Sequence, residues 1–246
     1  MSLSSHSIFE LLVGMHIVTG SIGLIAIWVP IAGRKGGVNH RRFGRLFIRA
    51  MLATGTIATL IALTTLSDPR GTHPHLADHP VFQDANLIRG IFGWMMLYLA
   101  TLTANLAWQG HLCLKSKSLH AENRAWHNLL SQLILMITAT LCAWKGVLLA
   151  QWMMPGLAIV GWATVGTNLW FIYKPHPRPL DRIKEHIKAL VGAGISVYTA
   201  FIAFGAVRWF PELALAPGLW AIPLTVGLTL IIYHQRAVTQ RMRSTP

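Results

Sequence analysis

The stretch "WVPIAGRKGGVNHRRFGRLFIRAM", Trp28 to Met51, decides how this chain is read. An oily run ends in it, another begins in it, and between them stand Lys35, Arg41, Arg42 and Arg45 with one histidine, His40. The apolar run before it extends from about Ile8 to Ile31 and the run after it from about Leu46 to Leu66. Each has the roughly 20 mostly apolar residues that cross a bilayer as a helix. The basic stretch is then a link between two spans. It serves as an orientation signal, as a clamp for anionic headgroups, or as half of a binding site.

Composition supports the membrane reading. Of 246 residues, 53% are hydrophobic and 12% charged, and the mean hydropathy is +0.49. A soluble domain carries about 25% charged residues. Ten Trp suit the aromatic belts that line membrane interfaces. The N-terminus "MSLSSHSIFE" has no positive start, so the first run reads as a retained span rather than a signal peptide.

Five further runs follow, at about Leu87 to Gln109, His127 to Leu149, Met153 to Tyr173, Ile187 to Phe210 and Leu219 to His234. Between the fourth and fifth spans, "LLAQWMMPG" demands a tight turn, with Pro155 just inside the next helix where its missing N–H costs nothing. Charge tests the count. With the N-terminus outside and the C-terminus inside, 17 of the 21 Lys and Arg fall on the inner side, leaving Arg70, Arg89, Lys145 and Arg208 outside. That is the bias that orients short-looped membrane proteins. The expected architecture is one all-α transmembrane domain over residues 1–246, with seven helices. The cysteines, Cys113 and Cys142, fall at opposite ends of neighbouring helices, too far apart for a disulfide.

Two patterns concern packing. Ala50, Thr54, Ala58 and Ala62 form a small-residue stripe in the second span, and Gly192, Ser196 and Ala200 form one in the sixth. Such stripes allow close helix approach in lipid. "IRAMLATG" at Ile48 also matches "IKALVGAG" at Ile187, which would fit a parallel repeat of spans one to three and five to seven.

Polar groups inside a membrane default to functional candidates. His16 lies in the first span with Glu10 nearly two turns before it, a candidate proton relay. On the outer side, "THPHLADHP" offers His73, His75 and His79 as possible ligands for zinc or copper. The inner side gathers His40, His127, His186 and His234 at a depth shared with Arg41, Arg42, Arg45 and Arg49. Imidazoles among guanidiniums suit an anion. The candidate ligand-binding set is therefore His40, Arg41, Arg45, Arg49, His127 and His186. The same chemistry fits haem b, with two of His127, His186 and His234 as axial ligands and arginines on the propionates. No H-E-x-x-H, C-x-x-C or G-x-x-x-x-G-K-[ST] motif is present. The net charge of +13 follows largely from the positive-inside bias, and nucleic acid is not the expected partner.

The stretch from His16 to Met51 resembles the first part of a family of bacterial multi-pass membrane proteins catalogued as a domain of unknown function. The resemblance is carried by His16, Lys35 with Gly36, His40 with Arg41, Gly44 with Arg45, and Met51, and later by "HIKALVGAGISVYTAF" from His186 and "LWAIPLTVGL" from Leu219. It implies a membrane location and an inner-face His/Arg region, and no activity. The expectation is a carrier or binding protein of the bacterial inner membrane, in contact with anionic lipids of the cytoplasmic leaflet. The alternatives are a haem electron-transfer protein and a structural subunit of a homo-oligomer or larger membrane complex.

Overall fold

The computed structural model describes residues 5–76, 82–115, 120–207 and 217–243, and among these it is all helical apart from turns. Among the described residues, seven helical segments are long and apolar enough to cross a membrane, and the chain is a multi-pass membrane protein. The first span is α1 (Ser5–Ala26) continued by α2 (Trp28–Ala32), interrupted at Ile27. Pro30 explains the break: it has no N–H to bond the Ala26 carbonyl, and its ring crowds that oxygen. The second span is α3 (Val38–Ser67). Short helices α4 (Pro69–Thr72) and α5 (Ala85–Ile88) then lead to a π-helical segment, Arg89–Met95, which runs into α6 (Met96–Lys115). The remaining spans are α7 (Trp126–Leu148), α8 (Met153–Tyr173), α9 (Pro179–Val207) and α10 (Pro217–Arg243).

Helices α3, α6 and α9 form a central row, with α3 against α6 and α6 against α9. Around them, α1 covers α3, α10 covers α9, and the α7–α8 hairpin covers α6 through α7. The predicted stripe on α3 is the packing face: Ala50, Thr54, Ala58 and Ala62 are all buried. Beside it, a Cβ on Gly55 would stand 3.0 Å from the Ala100 carbonyl oxygen, so this glycine permits the α3–α6 approach. On α9 the buried stripe lies next to the predicted one, at Ala189, Ala193 and Val197, while Gly192, Ser196 and Ala200 are half-buried. The repeat expectation does not match the packing. In a repeat α8 would lie along α9 as α1 lies along α3, but α8 packs chiefly on α7.

The bundle is apolar outside as well as inside. Leu11, Ile25 and Ile232 are exposed on its flanks, as hydrocarbon contact requires. Trp126, Trp144, Trp152 and Trp170 are exposed within about two turns of helix ends, at interface depth.

The α7–α8 turn is as tight as expected. The Gln151 N–H donates to the Gly146 carbonyl (2.8 Å) and the Ala150 N–H to that of Val147 (3.2 Å). This is the six-to-one and five-to-two pattern that closes a helix around a left-handed residue. Ala150 takes that role at φ 54°, where glycine is the usual occupant. Both cysteines are free and buried.

Several span limits differ from the sequence expectation. The link expected from Lys35 to Arg45 is confined to residues 33–37, because α3 begins at Val38. The sixth span starts at Pro179 rather than Ile187, and the seventh runs on to Arg243. Hydropathy marks where the hydrocarbon ends, whereas a helix continues into the headgroup region. At about 1.5 Å per residue, a 30-residue α3 exceeds a hydrocarbon core of about 30 Å.

Candidate functional site

The helical start of α3 sorts its own polar residues. His40, Gly44 and Phe47 follow one helix face at i, i+4 and i+7, and all three line a cavity of about 380 Å³ at the basic end of the bundle. Arg41, Arg45 and Arg49 follow another face at i, i+4 and i+8, and together with Arg42 they are exposed. The arginines of the predicted ligand set therefore lie outside the cavity. His127 is also exposed, at the start of α7 beside Trp108 and Trp126. Of that set, the structure brings together His40 and His186, and adds two groups the set omitted, His234 and Lys35.

Each wall has a local cause. α2 ends at Ala32, which leaves the Pro30 and Ile31 carbonyls without amide partners from a following helical turn. The Lys35 ammonium folds back to donate to both, at 2.8 Å to Pro30. His40 Nδ1 lies 3.2 Å from the Pro30 carbonyl oxygen, and His186 Nδ1 lies 2.8 Å from that of Gly110 on α6. A carbonyl oxygen only accepts, so in both rings Nδ1 carries the proton and Nε2 is the nitrogen left for other chemistry. His234 comes from the middle of α10, not its end. Burial lowers the affinity of Lys35 for its proton, and the Arg241 guanidinium lowers it further. Among the described residues no carboxylate lines the cavity.

The haem expectation loses one of its three ligands, since His127 stands apart, while His186 and His234 share the cavity.

A second polar cluster, which the sequence reading missed, lies among α6, α7, α8 and α9. Asn168 donates to Asn105 Oδ1 (2.9 Å) and Gln132 Oε1 (3.2 Å), and Asn105 donates to Ser131 (2.8 Å). Lys188 donates to Asn168 Oδ1 (3.1 Å) and Thr167 (3.0 Å) and pairs with Glu185 at 2.8 Å. Gln109 donates to the same carboxylate at 3.2 Å. Asn168 is fully buried and Glu185 is 8% exposed. Amides in the middle of apolar spans are the signal that could have found this network.

At the opposite end, His73 is buried between Phe9 (4.9 Å between ring centres) and Phe92 (4.7 Å), with Nδ1 3.0 Å from the Thr72 hydroxyl. Burial, and then the neighbouring His75, push its pKa down to about 4. Asp68 and Asp84 cap α4 and α5, their Oδ1 atoms accepting from the Gly71 and Asn86 N–H groups. Of the predicted metal set, His73 and His75 are 5.8 Å apart by ring centres, and His79 lies outside the described residues. Among the described residues no three His, Cys, Asp or Glu side chains meet in a way that could hold a metal ion. The His16–Glu10 relay does not form either: Glu10 pairs with His6 at 3.3 Å, one turn before it, and His16 Nδ1 is buried without a hydrogen-bond partner.

No protein-family model, curated protein or solved structure matches the chain.

Proposed function

We propose that this multi-pass membrane protein is a binding or carrier protein for an anionic ligand, held at its basic end by Lys35, His40, His186 and His234. One observation carries the reading: four basic or titratable side chains from three helices and a link surround one cavity, and among the described residues no carboxylate lines it. By the positive-inside bias that end faces the cytoplasm, and the host membrane would be a bacterial inner membrane.

The histidine tethers bear on chemistry. With Nδ1 of His40 and His186 committed to carbonyls, a neutral ring presents a lone pair at Nε2, which repels an anion. A protonated ring presents a donor. Anion binding is then linked to proton uptake, in the field of Lys35, His111, His234 and Arg241.

The test is calorimetric titration of the chain in nanodiscs with dodecyl phosphate, against protein-free discs. The expected result is saturable binding that tightens as pH falls below about 6.5, the ordinary imidazole value. His186→Leu should weaken it at least tenfold. Binding no stronger than partition into empty discs would overturn the proposal.

A second reading, b-type haem electron transfer, is favoured by the tethered His186 sharing its cavity with His234, since a backbone bond at Nδ1 is how proteins orient a ligating imidazole. A Soret band in the purified protein is its expected sign, and a colourless preparation retires it.

A further inference from the structure

The cavity has two unlike halves. Toward the link it presents Lys35, His40 and His234. Deeper in the bundle it is walled by Phe47 on α3 and by Ile187, Leu190 and Val191 on α9. From His40 to Phe47 the α3 wall runs seven residues, about 10 Å at the helical rise. A small hydrated anion has no use for such a wall, and its desolvation there would be costly.

The cavity also continues sideways. A second space of about 520 Å³ shares Ile31, Lys35, His234 and Val238 with it and extends between the end of the first span and α10, past Tyr233 and Arg241. Helix α10 packs mainly on α9 and leaves α2 largely uncovered on this side. The seam it leaves is lined by three cations, Arg34, Lys35 and Arg241, and after burial the Arg241 guanidinium further weakens the proton affinity of Lys35. Cations facing each other across an opening favour an anion between them.

Resting on the reading of an anion site, we infer that the ligand is a single-chain anionic amphiphile, a phosphate- or carboxylate-headed lipid. Its head lies among Lys35, His40 and His234, its chain lies along Phe47 and Leu190, and it enters from the membrane through the seam between the first span and α10. The apolar wall removes the chain from water, at about 0.8 kcal/mol per buried methylene, and the basic rim fixes the head.

Gly44 offers a clean perturbation. It lines the cavity, and a Cβ built on it meets no atom within 4 Å. Gly44→Leu therefore fills the chain-binding half while leaving the basic rim intact. Dodecyl phosphate, ethyl phosphate and inorganic phosphate are titrated against the full chain in nanodiscs, with protein-free discs as baseline and melting temperature as the check on folding. The expected result is binding of dodecyl phosphate at least tenfold tighter than ethyl phosphate. Gly44→Leu should remove most of that preference with ethyl phosphate affinity unchanged, and Lys35→Gln should weaken both. Should Gly44→Leu fail to fold, Leu190→Phe, which enlarges a side chain on the same wall, makes the same comparison. Equal affinity for the three phosphates, unmoved by either filling variant, overturns the amphiphile while leaving the anion site standing. Binding of none of them overturns both.

Discussion

Two polar clusters in this bundle sit on neighbouring faces of α9 and are built to opposite ends. The Asn105–Gln132–Asn168–Lys188–Glu185 cluster is closed: each amide and charge has partners on adjoining helices, and none lines the cavity. The His40–His186–His234 cluster is half-closed: two rings are fixed at Nδ1, and all three border empty space beside Lys35. A closed network holds helices in register, because every broken contact strands a buried group. A half-closed one keeps hydrogen-bonding capacity for something else. The residues differ little in polarity, and the difference lies in what faces them.

The closed cluster is most vulnerable at its ion pair. Lys188→Met leaves the Glu185 carboxylate buried without its cation and should cost about 3–5 kcal/mol, read as a fall in melting temperature in detergent. Glu185→Leu combined with Lys188→Met should recover most of that loss, because no buried charge is left behind. If Lys188→Met melts like the parent, the Glu185 carboxylate does not depend on Lys188 and the network is open at that point.

A smaller effect separates a packed histidine from the cavity histidines. His73 sits among aromatic rings outside the spans, with its pKa held at about 4. Its unfolded value is about 6.5, so between those limits the unfolded chain binds the proton that the folded one refuses. Stability should therefore be constant above about pH 6.5 and fall as pH drops toward about 4, by up to about 1.4 kcal/mol per pH unit from this group. His73→Phe should flatten that part of a melting-temperature-against-pH curve. An unchanged slope would mean that His73 is protonated in place.

The smallest effect sharpens the contrast from the cavity side. A glycine in a helix interior costs about 0.5–1 kcal/mol relative to alanine. Gly44→Ala meets nothing within 4 Å, so it should raise stability by that amount. A loss instead would mean that the cavity wall is packed.

The fold was legible because lipid imposes simple rules. Length, apolarity and the inner-side bias of Lys and Arg gave seven spans, and the fifth, Met153–Tyr173, matches its helix to the residue. The site was half legible. The sequence places His40 and His186 at a common depth, and the cavity lies at that depth. Depth carries no information about rotation. Arg41, Arg45 and Arg49 share that depth but occupy another helix face, and treating Lys35 to Arg45 as an unstructured link hid the periodicity that separates them from His40, Gly44 and Phe47. Asn105 and Asn168 were overlooked because single amides barely lower the hydropathy of a span, while their importance depends on four helices meeting.

The turn around Ala150 bears on how the chain enters its membrane. Between the end of α7 at Leu148 and the start of α8 at Met153, no residue is charged. Moving so short a corner across hydrocarbon carries a single cation with it, Lys145 in the last turn of α7, and a newly made α7 and α8 can insert together as a prefolded hairpin. The direction of that insertion is then dictated from its flanks, by the Arg124 region before it and the Lys174–Lys184 region after it, rather than by the corner itself.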